Sequence, residues 1–269
     1  MKRRPARSLL ALALIALPVL LALVGPFVAG QAGPRSVSLD SGDGHWLGTD
    51  FGGRDVWRQV LLGGRSVVLV AIAATALAYL IAVPLGLAAA LTRRHWLEEA
   101  LMRPLDVVLA VPSLLLVLLV AATLTPGLPG LALLVGLAAV PDAARVVHAA
   151  AVEISSRPAV EALRMQGESW WRTAVGYVAR SMRRTLAADA GIRLTGALYL
   201  VSTAAFLGVG VAPDAADWAV MVDRNRTGLF LQPWAVVVPA LLIAALSMGT
   251  NLLFDAALQR QTTRKETRR

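Results

Sequence analysis

Val67-Val68-Leu69-Val70-Ala71-Ile72-Ala73-Ala74-Thr75-Ala76-Leu77-Ala78-Tyr79-Leu80-Ile81-Ala82-Val83-Pro84-Leu85-Gly86-Leu87-Ala88-Ala89-Ala90-Leu91 contains no charged side chain. As a helix, at about 1.5 Å per residue, it exceeds the roughly 30 Å hydrocarbon core of a bilayer. Pro84 in its second half reads as a shape feature, because membrane helices tolerate proline when neighbours satisfy the freed carbonyl. Working outward, Ser8–Gly30, Val107–Thr125, Leu194–Pro213 and Thr227–Phe254 are comparably apolar. Leu128–Pro141 is short alone but spans if its helix continues through Asp142 and Arg145 to about Ala149. The sequence therefore predicts an all-α integral membrane protein with six transmembrane helices. Composition agrees: 57% hydrophobic and 16% charged residues, against about 25% charged in soluble domains. The 269 residues suffice for one membrane domain. Ser8–Gly30 follows a basic start and could be a cleaved signal peptide, but its apolar run exceeds the usual h-region, so it is expected to remain as a span.

Charge placement sets the expected orientation. With the N-terminus in the cytoplasm, 19 of the 26 Lys and Arg fall inside and 6 outside, leaving Arg193 in or near a span. That bias predicts cytoplasmic N- and C-termini. It also argues against nucleic acid as a partner, since the basic residues are distributed by side. Trp46, Trp57, Trp96, Trp170, Trp171, Trp218 and Trp234 all fall in connections or at span ends, where headgroup-level anchoring is expected.

Catalytic constellations are not evident. The only lysines, Lys2 and Lys265, lie in the termini, so no phosphate-binding Gly-x-x-x-x-Gly-Lys loop exists. His45, His95 and His148 fall in three different connections or span ends without metal-ligand spacing. Cysteine is absent, which excludes disulfides and thiolate sites. The chain reads as a non-enzyme that binds no cofactor or metal of its own.

Two connections carry the functional expectations. Between the fourth and fifth spans, Pro158 suits a first helical turn, Val160–Gln166 favours helix, and Gly167 can close it through positive φ. Ser169 is placed to cap a second helix beginning at Trp170. The resulting helix–turn–helix can be an arginine-bearing segment lying on anionic lipid, or a docking element for another protein. Outside, Asp50 or Thr49 is placed to cap a short interfacial helix over Asp55–Leu62, which leads into the second span through Gly63-Gly64. It can pack on a partner permease or meet a binding protein. Asp142 with Arg145, and Asp189 with Arg193, are spaced to pair on one helix face. Thr195, Ser202 and Thr203 can line a pathway or bond the preceding helical turn.

Three blocks together resemble the inner-membrane permease subunits of bacterial dipeptide, oligopeptide and nickel ABC importers. Leu47-Gly48-Thr49-Asp50-Phe51-Gly52-Gly53-Arg54-Asp55 resembles the L-G-T-D-x-x-G-R-D signature of one of the two permease types. Val160–Gly167 resembles the E-A-A-x-x-x-G loop, and Phe206–Val211 with Asp217-Trp218 resembles F-L-G-L-G-V…E-W-G. Their order matches the family over nearly the whole chain. Leu163 in place of the second alanine, Val178-Ala179-Arg180 where Ile-x-Leu-Pro is usual, and Ala219 after Trp218 are departures.

The resemblance implies a type I ABC importer permease fold in the bacterial inner membrane, divided as follows. Residues 1–30 form the cytoplasmic start and first span, and 31–66 an extracytoplasmic segment with the interfacial helix. A core follows over 67–254, including a coupling loop at about 150–186, and then a basic tail over 255–269. Glu161, Ala162 and Gly167 would engage an ATPase. Gly48, Thr49, Asp50, Gly53, Arg54 and Asp55 form the extracytoplasmic signature. The implied partners are a second permease, giving a heterodimer, two cytoplasmic ATPase subunits holding ATP and magnesium, an extracytoplasmic solute-binding protein, and lipid. A secondary transporter, another polytopic protein not driven by ATP, or a membrane-embedded enzyme are the rivals. Neither internal repeats with paired mid-span acids nor a catalytic cluster favours them.

Overall fold

A computed structural model describes residues 4–41 and 44–266, with side chains for 9–41 and 44–254. Lys2, Arg3 and the side chains of the basic tail lie outside the described residues. The described residues form helices, with one isolated bridge between Thr49 and Asp55 and no strand. In chain order these are α1 (Arg4–Val28), α2 (Val56–Leu91), α3 (His95–Leu109), α4 (Ser113–Leu124), α5 (Leu128–Ser155) and α6 (Pro158–Met165). A π-helical segment (Arg172–Ala179) then leads into α7 (Arg180–Phe206), followed by α8 (Trp218–Asn225), a 3-10 turn (Arg226–Gly228) and α9 (Trp234–Glu266). Among them α1, α2, α5 and α9 are long and apolar enough to cross a membrane, and α3 with α4 qualifies as one span bent by 84°. Crossings alternate in direction. One end of the bundle therefore carries residues 31–55 (the signature end) and the other carries α6 (the turn end).

Several boundaries differ from the sequence reading. The expected straight crossing Val107–Thr125 is broken at Ala110-Val111-Pro112. Pro112 supplies no backbone N–H and disfavours helical geometry in the residue before it. What remains as α4 has 12 residues, roughly 18 Å. In the fourth apolar segment the helix does run on through Asp142 and Arg145, and ends at Ser155. The fifth segment ends at Phe206 instead of Pro213, and the sixth starts at Trp234 instead of Thr227 because the 3-10 turn and Pro233 precede it.

At the signature end the correction is larger. No separate helix covers Asp55–Leu62, since α2 is continuous for 36 residues, about 54 Å. Its cap is Asp55, whose carboxylate accepts the Arg58 N–H at 2.9 Å, and neither Asp50 nor Thr49 caps it. Gly63 and Gly64 do not bend the chain. They open a notch that Trp218 fills: a Cβ on Gly64 would sit 2.4 Å from the indole Cζ2. Trp218 is fully buried, and its Nε1–H donates to the Val60 carbonyl at 2.8 Å. This tryptophan is a core residue and not a headgroup anchor.

The centre of the bundle is the α2–α5 contact. Ala71, Ala74, Ala78 and Ala82 form a buried stripe on α2. From α5, Gly136 approaches so closely that a Cβ there would lie 2.9 Å from the Ala74 carbonyl oxygen. Small residues let backbones approach where lipid offers no hydrophobic drive for association. At the turn end a second apolar cluster joins Leu87 and Leu91 of α2, Val147 and Ile154 of α5, Val160 of α6, and Val178 and Met182 beyond it.

Charges on the long helices pair both within one helix and across neighbours. Arg193 meets Asp189 at 3.2 Å, as the spacing predicts. It also reaches Asp142 at 3.3 Å, while the Tyr79 hydroxyl donates to Asp189. The expected Asp142–Arg145 pair does not form, because Arg145 turns to Asp106 of α3 (Nε to Oδ1, 2.9 Å). Helix α5 lies between α3 and α7, so residues three apart on it reach different neighbours.

Candidate functional site

Helix α6 stands at the turn end, held by one side chain. Val160 is fully buried in the turn-end cluster, whereas Glu161, Arg164, Met165 and Gln166 are exposed and Ala162 is half-exposed. Glu161 makes no ion pair among the described residues. The last turn closes as a Schellman-type cap: the Glu168 N–H donates to the Leu163 carbonyl and the Gly167 N–H to the Arg164 carbonyl, both at 3.1 Å. This closure requires Gly167 at φ +76, a region that a Cβ penalises. The Ser169 hydroxyl then accepts from the Arg172 N–H at 3.4 Å, so the expected second cap forms.

From Trp170 the chain is helical without interruption to Phe206. Its first part is the π-helical Arg172–Ala179, whose Thr173, Ala174 and Val178 point inward. Only Glu168 and Ser169 separate the Gly167 turn from this continuous helix. Around the turn Met165 is 78% and Trp171 70% exposed, with Trp170 edge-on to Trp171 at 4.9 Å between ring centroids. The exposed Trp170 and Trp171 lie beyond the Val160–Gly167 block, and Met165 falls on one of its unspecified positions, so the motif itself does not mark these apolar groups.

The extracytoplasmic signature of the sequence reading forms a second structured unit. Asp50 is fully buried and accepts from the Gly52 and Arg54 backbone N–H groups, each at 2.8 Å, and from Arg224 at 2.8 Å. Thr49 is also buried, with its hydroxyl donating to the Val37 carbonyl at 2.6 Å. Phe51 N–H donates to the Asn225 side chain at 2.8 Å. Gly48 and Gly53 both take positive φ. Asp55 meets His45 at 2.9 Å, and the Arg54 guanidinium donates to the Asp214 carbonyl. The signature thus clamps residues 36–55 onto α8. Burial lowers the Arg224 guanidinium below its usual range, opposed by the charge of Asp50. The neighbouring Asp217 caps α8 through the Ala219 and Val220 N–H groups and accepts from Ser66. Burial pushes its carboxyl up against those hydrogen bonds. Arg224 and Asn225 lie 174 residues from their partners, a separation that no local spacing reveals.

The two units lie at opposite ends and are not brought together. Between them, Thr195 bonds its own helix at the Gly191 carbonyl (3.0 Å). Ser202 is buried with an unpartnered hydroxyl, and Thr203 is half-buried. No group of three or more His, Cys, Asp or Glu able to hold a metal occurs among the described residues.

Against this geometry, residues 82–263 match the family model described as the binding-protein-dependent transport system inner membrane component. The chain belongs to this family. The permease is 28% identical over 248 residues to the probable D,D-dipeptide transport system permease protein DdpC of Escherichia coli, covering 90% of this chain and 82% of that one. It is 29% identical over 259 residues to a putative peptide transport system permease protein of Brucella suis, covering 95% and 86%. To the glutathione transport system permease protein GsiD of Pectobacterium atrosepticum it is 26% identical over 211 residues, covering 78% and 70%. The matched region includes both the Gly167 turn and α7. The protein is therefore an inner-membrane permease component of an ABC importer, as the motif order implies, and the secondary-transporter reading does not fit this family.

Proposed function

We propose that this permease forms half of a translocation pathway for peptides or a similar small solute, and that Glu161, Ala162 and Gly167 couple it to a separate ATPase. The carrying observation is the Gly167 turn: an exposed apolar knob, anchored by Val160 and continuous with α7. Motion arriving at the turn moves a helix that traverses the bundle, which is what alternating access needs. Glu161 is the exposed charged contact, Ala162 the close-packing position and Gly167 the turn. The peptide class rests on the names of the relatives, and their cargoes differ among themselves.

In this reading the chain crosses six times, through α1, α2, the bent α3–α4 pair, α5, α7 and α9, with both termini cytoplasmic. The start and first span over 1–30, the segment 31–66, the core 67–254 and the tail 255–269 keep their proposed roles, and residue 66 marks where α2 enters the membrane. A second permease completes the pathway, two ATPase subunits bind ATP and magnesium, and a binding protein delivers solute at the signature end. Gly48, Thr49, Asp50, Gly53, Arg54 and Asp55 shape that end for the delivery partners, and Thr195, Ser202 and Thr203 face the pathway. Hydrolysis belongs to the partners and not to this chain.

The intact importer in proteoliposomes tests the coupling. Glu161→Ala and Gly167→Pro should abolish solute-stimulated ATP hydrolysis and transport while the permease remains in the membrane. Unchanged hydrolysis and uptake in both variants would refute coupling through this turn.

A further inference from the structure

A pocket of about 600 Å³ opens at the signature end, between the C-terminal end of α1 and the first turns of α2. Val28, Ala29 and Leu61 form its apolar floor, and Arg35, Arg58 and Gln59 line its polar wall. Its level relative to the membrane follows from packing. Gly25, one turn before the end of α1, sits directly on the Leu61 carbonyl. The pocket therefore begins where the first apolar helix leaves the hydrocarbon. Trp57 in the wall lies 6.3 Å from Trp46, which is 90% exposed, an arrangement suited to the headgroup layer.

The other charges facing this space are largely committed. Asp55 is engaged by His45 and by the α2 cap, Arg54 donates to the Asp214 carbonyl, and the Asp214 carboxylate, which also lines the pocket, stands near the Arg224 guanidinium. Arg35 and Arg58 have no carboxylate partner among the described residues. Arg58 Nε is buried without an acceptor, and its Nη2 has only a long contact of 3.5 Å to the Gly30 carbonyl. Gln59 is 5% exposed, and its Oε1 lacks a donor. Buried polar atoms left unpaired in a native protein ask for a partner. Here the unmet needs are an anion for two guanidiniums and a hydrogen-bond donor for one amide oxygen, beside an apolar floor.

We infer that this pocket binds the headgroup of a phospholipid, with the phosphodiester on Arg58 and Arg35 and an amine or hydroxyl of the headgroup donating to Gln59 Oε1. The acyl chains leave along the exposed Phe27 and Val28 of α1. The site lies apart from the Gly167 turn and does not depend on the coupling proposed there.

The test is native mass spectrometry of the intact importer released from nanodiscs of defined lipid. Phosphatidylethanolamine or phosphatidylglycerol should be retained on the permease about tenfold over phosphatidylcholine, whose headgroup has no donor, the scale of one charge-assisted hydrogen bond. Arg58→Gln should lower retention about tenfold. Arg35→Gln, on an exposed loop where folding is not at stake, should lower it as well. Equal retention of phosphatidylcholine, or undiminished retention in both arginine variants, would overturn the assignment. Displacement by an equal concentration of soluble glycerophosphoethanolamine would also overturn it, because the site would then serve a free anion and not a lipid.

Discussion

Replacing Gly167 separates backbone geometry from contact at the proposed coupling turn. Gly167 holds φ +76, and a Cβ built there meets no atom within 4 Å. Alanine therefore adds no clash, and its whole penalty is the left-handed backbone, about 1–2 kcal/mol for a residue with a Cβ. Asparagine visits that region more readily and should cost less. Proline fixes φ near −65° and removes the N–H that now donates to the Arg164 carbonyl at 3.1 Å; its penalty should be about 3 kcal/mol or more. If the ATPase docks on the turn as built, its affinity for nanodisc-embedded permease should fall about 5- to 30-fold for Gly167→Ala. The loss should be smaller for Gly167→Asn and more than about 100-fold for Gly167→Pro. Titrating purified ATPase onto each variant measures this order. Alanine binding as tightly as glycine, or more tightly than asparagine, would show that φ does not govern the turn, and the argument would fail.

Other parts of the structure give equally definite expectations. Trp218→Ala should destabilise the detergent-purified permease by about 3–5 kcal/mol, whereas Trp218→Phe, which loses the bond to Val60 and part of the ring that fills the notch, should cost less, about 1–3 kcal/mol; equal thermal midpoints for the two would refute the notch packing. Arg224→Met leaves the buried Asp50 carboxylate without its cation and should cost about 3–5 kcal/mol. Adding Asp50→Asn should recover part of that loss in a double-mutant cycle, and strict additivity would show that the pair is not coupled. Asp217 has a carboxyl raised by burial, so the folded state holds its proton more tightly than the unfolded chain. Its contribution to stability is full below the ordinary carboxyl pKa and is lost as pH rises through the raised value. Acidifying from neutral pH toward the ordinary carboxyl range should raise the melting midpoint of the native protein relative to that of Asp217→Asn, which keeps a capping side chain; parallel curves would exclude this group.

Much of the turn was legible because its determinants are local. Pro158, the helix-forming Val160–Gln166, Gly167 and Ser169 each act within a few residues, and each takes the predicted place. The signature end was misread for the opposite reason. Gly63-Gly64 is a plausible bend in one dimension, yet Trp218 arrives from another part of the chain and makes those glycines a socket in a continuous helix. Asp50, a credible helix cap by position, is taken instead by the backbone of its own loop and by Arg224. Asp142 and Arg145 had the right spacing to pair, but α3 and α7 each offered a competing partner.

Sequence alone determined that this chain lives in a bilayer and bears an exposed helix–turn–helix. Apolar length, turn chemistry and charge bias act through neighbours along the chain and through the solvent, which need no knowledge of the fold. Tertiary structure decided which glycines are sockets, which tryptophan is core, which charges meet, and where Arg58 Nε and Gln59 Oε1 stand without partners. Those outcomes depend on surfaces brought together from distant segments, where close packing leaves room for only one arrangement.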